Sequence, residues 1–335
     1  MDESLLKRAK ELLEDKDQQI VITTHTNPDG DAIGSCLGLY GCLSAAGYNN
    51  VEVVVPNSYP AFLQWMAYNY KVTNATYKYH KAKGFIEKAS LIFCLDFNGF
   101  GRTDKIEEPL SSSPATKILI DHHPQPESGF DLYFSDVSAS STAEMVFEFI
   151  LNMGWKGLIR REDAECLYAG IVTDTGSFSF GCNNPRTYEI MAEIMKLGVD
   201  GAKIHRLIYS TYSEGRLRLL GYCLSEKLVV MAEHHTAYIS LSKDEMKRFN
   251  HTVGDTEGIV NYALSIKNVH LAALFTENHD HIKISLRSSG NHDVNALARD
   301  YYHGGGHKNA SGGKSFDTME RTLNKFESLI TTTNL

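Results

Sequence analysis

Residues 21–35 read VITTHTNPDGDAIGS. An apolar run of strand type ends at Thr24, and within the next seven positions the chain places a histidine, two aspartates and a glycine. A tight turn calls for glycine, proline and asparagine. It does not call for His25, Asp29 and Asp31 together. After the turn the period changes, and residues 30–46 read as a helix with small and apolar residues on one side.

Other elements end in the same way. The apolar run ASLIFCLDF (89–97) closes on Asp96, TKILIDHH (116–123) closes on Asp121, His122 and His123, and AGIVTDTGSF (169–178) carries Asp174. Around them the pattern predicts helices over 4–14, 141–151, 162–173 and 186–197, and strands over 19–24 and 51–55. Strands alternating with helices predict an α/β domain, a mostly parallel sheet with helices on both faces. Ligands of such sheets bind at the carboxyl ends of the strands. Three of the four clusters stand there, so groups far apart in sequence are expected to converge.

Residues 203–224 are helical and charged and read as a connecting helix. Beyond them KLVVMAEHHTAYISLS, VHLAALFTE and HIKISLRSS predict strands. Helices are expected near 255–265, 293–302 and 318–330. The expected organisation is a catalytic domain over 1–200, a linker helix over 201–225 and a smaller α+β domain over 226–335.

Composition narrows the function. A length of 335 residues accommodates two domains, and 42% hydrophobic with 22% charged residues is ordinary for a globular protein. No apolar run reaches the roughly 18 residues of a membrane span. The charged N-terminus lacks a signal-peptide core, and the expectation is a cytoplasmic protein without membrane contact. Six scattered cysteines without a CxxC pair exclude a zinc finger and a disulfide framework. A net charge of −8 argues against a broad basic face for duplex nucleic acid. An anionic substrate would therefore be small and held by a few groups or by metal ions.

Singly, an aspartate after a strand is usually a cap or turn residue, and Asp31 suits the dipole of the helix it opens. Four clusters at the ends of apolar elements exceed what capping requires. Carboxylates gathered at one point repel, and burying them unpaired costs several kcal/mol per ion. Divalent metals remove that cost. Aspartate and histidine without cysteine suit Mn2+ or Mg2+, with imidazole favouring Mn2+. Two such ions about 3.5–4 Å apart suit phosphoester hydrolysis.

HTNPDGDAIGS, CLDFN, DHHP and GIVTDTGSF resemble, in order, the four motifs of the DHH phosphoesterase family. The resemblance implies one metal on His25, Asp29 and Asp96 and another on Asp31, Asp96, His122 and Asp174, with Asp96 bridging. It implies that Asp121 orients a ligand and that His123 faces the substrate phosphate and leaving group, so that His123, Asp121 and Asp96 carry the chemistry. The stretch ASSTAEMVFEFI (139–150) resembles the family's segment between the third and fourth motifs. Within it Ser141 and Thr142 read as a helix N-cap. Arg102 follows the second motif and either reaches a phosphate or lies in a solvated loop.

The other dense stretch is YYHGGGHKNASGG (301–313). Its glycines allow close backbone approach to a ligand. A following helix start would offer N–H groups to an anion, and His307 and Lys308 add donors. It resembles the GGGHxxASG signature of the DHHA1 domain. Arg287 and His307 are then implied to bind a phosphate or nucleotide end, with Gly305 and Gly306 lining the site.

The compact DHH–DHHA1 form implies hydrolysis of short oligoribonucleotides to mononucleotides, and removal of the 3′-phosphate from 3′-phosphoadenosine-5′-phosphate, through a metal-activated water. It implies two Mn2+ per site, with Mg2+ as the alternative. The implied partners are short single-stranded RNA or DNA oligonucleotides and nucleotides, and a homodimer is left open. The alternatives are a phosphodiesterase of linear dinucleotides, a RecJ-like single-strand exonuclease and a nucleotide-binding protein without catalysis.

Overall fold

The computed structural model describes residues 1–332. They form two compact units, Met1–Thr211 and a second that begins at Tyr212. No helix among the described residues is long and apolar enough to cross a membrane.

The first unit runs α1 (Glu3–Leu12), β1 (Ile20–Thr23), α2 (Gly30–Ala45), β2 (Val51–Val55), β3 (Val72–Asn74), α3 (Ala75–Lys88), β4 (Leu91–Leu95), α4 (Glu107–Ser112), β5 (Thr116–Asp121), β6 (Leu132–Ser135), α5 (Thr142–Asn152), α6 (Arg161–Asp174), α7 (Pro185–Lys196) and α8 (Gly201–Tyr209). Its strands lie in the order β3-β2-β1-β4-β5-β6, all parallel. The strands read as unbroken apolar runs because both faces are covered. Ile22, Val53, Phe93 and Ile120 join a core with α2, α5 and α6. Val21, Val54, Ile92 and Leu119 face the other way, toward α3 and α4. This is the mostly parallel α/β domain that the alternating pattern predicts.

The order of strands reverses between β1 and β4, where chain connections leave in opposite directions and open a crevice. The register makes that place a site. Thr23 pairs with Cys94, and Cys94 with Leu119. Two residues beyond each of these stand His25, Asp96 and Asp121. Neighbouring strands about 4.8 Å apart therefore deliver three polar groups side by side.

Close packing of α2 on α6 brings more groups in. A Cβ at Gly34 would come within 2.5 Å of the Cys166 carbonyl oxygen, and one at Gly170 within 2.6 Å of Ala143 Cβ. Side chains at these positions would force the helices apart.

The second unit comprises α9 (Glu214–Tyr222), β7 (Leu228–Met231), β8 (Thr236–Leu241), α10 (Lys243–Arg248), α11 (Ile259–Leu264), β9 (Leu271–Glu277), β10 (Ile282–Ser288), α12 (Val294–Tyr301), β11 (Gly305–His307), β12 (Ala310–Ser315) and α13 (Met319–Thr332). The strand order is β11-β12-β10-β9-β8-β7. Only β8 and β9 pair in parallel; the other four pairs are antiparallel. Phe275, Ile284 and Leu286 pack with α12 and α13, while Ile239 and Leu274 pack with α10 and α11.

Three expectations change. The connecting helix is two helices, because α8 ends at Tyr209 and α9 starts after its own N-cap, Ser213, which accepts from the Arg216 N–H. The stretch KLVVMAEHHTAYISLS is a hairpin, β7 and β8, turned by a short 3-10 segment at Ala232–His234. No helix begins after GGGH; the glycines form the β11–β12 hairpin, and α13 starts only at Met319.

Candidate metal centre

Each ligand-type side chain is held by the backbone of another element. After β1, the Thr26 N–H donates to the Arg102 carbonyl oxygen at 2.7 Å, tying the first motif to the segment after β4. His25 Nδ1 lies 2.8 Å from the Thr26 carbonyl oxygen, and its Nε2 is 3.3 Å from Asp96 Oδ2. Asp29 is the N-cap of α2 and accepts from the Asp31 and Ala32 N–H groups. The capping reading of Asp29 and the ligand reading are therefore compatible. Asp31 accepts from two N–H groups at the start of α5, Thr142 at 2.7 Å and Ala143 at 2.8 Å.

Asp96 sits in left-handed backbone with φ 65°, a strained conformation that non-glycine residues keep mainly at functional sites. Its N–H donates to the Ile120 carbonyl oxygen at 3.2 Å, and the Thr142 hydroxyl donates to Oδ1 at 2.9 Å. His122 Nδ1 faces the Ala139 carbonyl oxygen at 3.3 Å. That contact turns Nε2 toward Asp174 Oδ2 at 3.6 Å, Asp96 Oδ1 at 3.7 Å and Asp31 Oδ2 at 3.9 Å. His123 Nδ1 lies 2.7 Å from Asp121 Oδ1 and 3.7 Å from Asp96 Oδ1.

Within the first unit three groups have ligand atoms mutually within 4.8 Å: His25–Asp29–Asp96, Asp31–Asp96–His122 and Asp96–Asp121–His123. Asp96 belongs to all three. The first matches the set expected for one metal. The second holds three of the four residues expected for the other, and Asp174 reaches it through His122. Asp121 hydrogen-bonds His123 rather than a residue of either expected metal set.

Burial shapes the electrostatics. Desolvation first, then repulsion from Asp96 and Asp29 at Asp31 and from Asp29, Asp174 and Asp121 at Asp96, pushes the Asp31 and Asp96 carboxyls well above the ordinary carboxylate range. Desolvation pushes Asp121 up to about 6, against the pull of hydrogen bonds and of Arg102. It lowers His25, and it lowers His122 to about 4, leaving neutral imidazoles with a lone pair to give. The positive charge of Arg102 acts on His25, Asp96, Asp121 and His122, lowering each. Asp121 Oδ2 is buried without a hydrogen-bond partner among the described residues. Buried hard oxygen donors with neutral imidazoles fit divalent cations of the Mn2+ or Mg2+ type.

The role of Thr142 escapes the sequence reading. Ser141 is the N-cap of α5, accepting from the Glu144 N–H, while Thr142 holds Asp96 with its hydroxyl and Asp31 with its N–H. A threonine beside a serine cap carries no signal of that contact.

In the second unit Arg287 and His307 both register with Ala310, from β10 and β11 on either side of β12. Directly paired residues point to one face of a sheet, so the two side chains share a face about 10 Å apart. A Cβ at Gly304 would meet the Gly312 carbonyl oxygen at 2.0 Å, and Gly306 (φ 147°) would meet that of Ala310 at 2.6 Å. The Gly306 N–H donates to Asn295 Oδ1 at 3.1 Å, and Gly305 lies between them in the same strand. Gly304 and Gly306 are needed for the hairpin's own close packing.

The sequence pattern of the DHH family, N-terminal domain, matches residues 19–171, and that of the DHHA1 domain matches residues 235–332. The bifunctional oligoribonuclease and PAP phosphatase NrnA of Bacillus subtilis is 30% identical over 92% of this chain and 94% of its own length. A probable NrnA of Streptococcus mutans is 30% identical over 90% of this chain and 91% of its own. The crystal structure of an exopolyphosphatase-related protein from Bacteroides fragilis covers 99% of this chain and 97% of its own, with TM-score 0.93 and 42% identity. With both domains matched in order and relatives aligned nearly end to end, the chain belongs to the DHH family, in the form that carries a DHHA1 domain.

Proposed function

We propose that the chain is a phosphoesterase that hydrolyses short oligoribonucleotides to mononucleotides and removes the 3′-phosphate of 3′-phosphoadenosine-5′-phosphate. The observation that carries the reading is the buried cluster around Asp96, at the point where the strand order reverses. The NrnA relatives supply the substrate class. DHH phosphoesterases are metal-dependent hydrolases. His25, Asp29 and Asp96 would hold one Mn2+, and Asp31, Asp96, His122 and Asp174 a second, with Mg2+ as the alternative. Bound there, such ions neutralise the carboxylates and supply a nucleophilic water at neutral pH.

The remaining steps belong to the chain's own groups. Arg102 binds and orients the phosphate beside Asp96. Asp121 holds His123 at Nδ1 and stabilises its imidazolium. Nε2 is then the proton donor to the departing oxygen. Thr142 fixes the rotamer of Asp96. Arg287 and His307, on one face of the second sheet, take a phosphate or nucleotide end. Short single-stranded RNA or DNA are the partners that fit. The six cysteines are free and buried, which suits the cytoplasm. No dimer contact is invoked.

The Bacteroides fragilis relative is described as exopolyphosphatase-related, so short inorganic polyphosphate is the second reading. The test gives Mn2+-loaded protein a 5′-phosphorylated RNA dinucleotide, a 24-mer RNA, 3′-phosphoadenosine-5′-phosphate and tripolyphosphate, with Asp96→Ala as control. Mononucleotides from the dinucleotide and phosphate from the third substrate are expected. Turnover of the 24-mer alone would indicate a RecJ-like enzyme, and turnover of tripolyphosphate alone a polyphosphatase. Silence on all four would sink the catalytic reading.

A further inference from the structure

The chemistry above uses Asp174 and leaves the turn that follows it unexplained. The chain leaves α6 through left-handed backbone at Gly176, Ser177, Phe178 and Gly181, with φ of 53°, 56°, 62° and 60°. Two of these four are not glycine, so the turn is held in a conformation its residues do not favour. What holds it is local and specific. The Ser177 N–H donates to the Val172 carbonyl oxygen at 2.8 Å, and the Phe180 N–H donates to that of Thr175 at 2.9 Å. The Ser177 hydroxyl lies 2.9 Å from His205 Nε2 in α8.

The outcome of this turn is the position of one ring. Phe180 folds back over residue 176, two positions after Asp174. A Cβ built at Gly176 would come within 2.8 Å of Phe180 Cδ2 and 2.9 Å of Cε2. Any side chain at 176 would displace the ring, so glycine there is a condition of its placement. Phe180 is nevertheless 48% exposed and has no aromatic partner among the described residues. Beside it in sequence, Phe178 stacks on Tyr188 at 5.7 Å and 27°, and Tyr188 is 50% exposed. A large apolar ring propped on backbone beside a candidate metal ligand, and left half open to water, adds little to the core. It has the form of a stacking platform, since every nucleobase offers a π-face.

We propose that Phe180, propped on Gly176 and flanked by the Phe178–Tyr188 pair, stacks a nucleobase of the substrate whose phosphoester lies at the Asp96 cluster. The inference deepens the oligonucleotide reading above and rests on it. It assigns the preference for nucleotides over bare phosphate chains to this turn. Because stacking is tolerant of base identity, the preference is for a base and not for one base.

The test compares wild type, Phe180→Ala and Phe180→Trp on a 5′-phosphorylated RNA dinucleotide and on the same dinucleotide made abasic at each position in turn. Stacking of one base corresponds to about 5- to 150-fold. Phe180→Ala is expected to raise KM on the dinucleotide by that order, with kcat less affected, and Phe180→Trp to restore it. At one abasic position the penalty of Phe180→Ala should largely disappear, with variant and wild type showing nearly equal KM. An equal penalty with and without the bases would make the ring a prop of the Asp174 turn and overturn the proposal, as would no penalty at all. Equilibrium binding of the intact dinucleotide with Ca2+ in place of Mn2+ separates the two readings. Binding that depends on Phe180 without turnover would sink the phosphoesterase reading alone. Turnover that ignores Phe180 would sink the platform alone.

Discussion

Asp96 concentrates the physical conflict of this molecule. It is buried, strained in its backbone and grouped with six other acids or histidines. Asp96→Asn removes one charge at constant shape. In chelator-treated protein the variant is expected to melt higher than wild type, since a buried carboxylate without a cation is unfavourable. With Mn2+ the order should invert, because the variant gains no metal stabilisation and loses activity by about 1,000-fold or more. Calorimetry with and without Mn2+ reads both. The pH dependence follows from the same groups. Asp31 and Asp96 have pKa values raised on folding, so the unfolded chain sheds their protons first and metal-free stability falls as pH rises. His25 and His122 are lowered from 6.5 and oppose this only below that value, where the unfolded imidazole becomes charged. In chelator-treated protein the melting-temperature advantage of Asp96→Asn over wild type should therefore grow as pH rises above the ordinary carboxylate range, because only wild type carries the raised Asp96 carboxyl. An advantage that shrinks with rising pH would contradict the assigned burial of Asp96.

At the scale of elements, helix starts and helix contacts do the positioning. Thr142 begins α5 and holds two acids at once. Thr142→Val deletes the hydroxyl donated to Asp96 and leaves the Ser141 cap and the N–H groups on Asp31 in place. Mn2+ affinity measured by titration calorimetry should drop about 10- to 100-fold, with unfolding by urea little changed, and Thr142→Ser should recover most of it. Gly34 serves the α2–α6 contact. Gly34→Ala drives a methyl against the Cys166 carbonyl oxygen and should cost about 1–3 kcal/mol, the ordinary range for overpacking. A neutral result in urea unfolding would show that the helices have room to part. The elements that sequence patterning does not reveal are short or ambiguous ones. β3 has three residues, VTN, and the helix after it reads ATYKYHKAKGFIEK, with too little apolar periodicity to stand out. β6, LYFS, has four residues at the edge of its sheet.

At the scale of the whole molecule, the candidate site gathers residues 25–31, 96–102, 121–123, 142 and 174 in one unit. If one shared carboxylate joins these segments, metal binding should protect them together. Hydrogen exchange is expected to slow in all of these loops on adding Mn2+ to wild type, and in none of them for Asp96→Asn. Protection of one loop alone would mean that the groups act separately. In the second unit, the row Arg287–Ala310–His307 comes from strand register across three strands.

The sequence by itself determined the α/β class of the first unit and which strand ends carry acids and histidines. Strands buried on both faces must be continuous apolar runs, so the acids and histidines that end them stand out against the period. It singled out the glycines at 304–306 but not what they clear, because a glycine that clears a ligand and a glycine that clears a neighbouring strand look alike. Only the tertiary structure decided that Asp121 serves His123, that Thr142 holds Asp96, and that Phe180 is propped open beside Asp174. Those contacts join residues whose local pattern is already satisfied by a cap or a turn. Their partners are set by register, helix crossing and backbone strain, which periodicity along one chain does not encode.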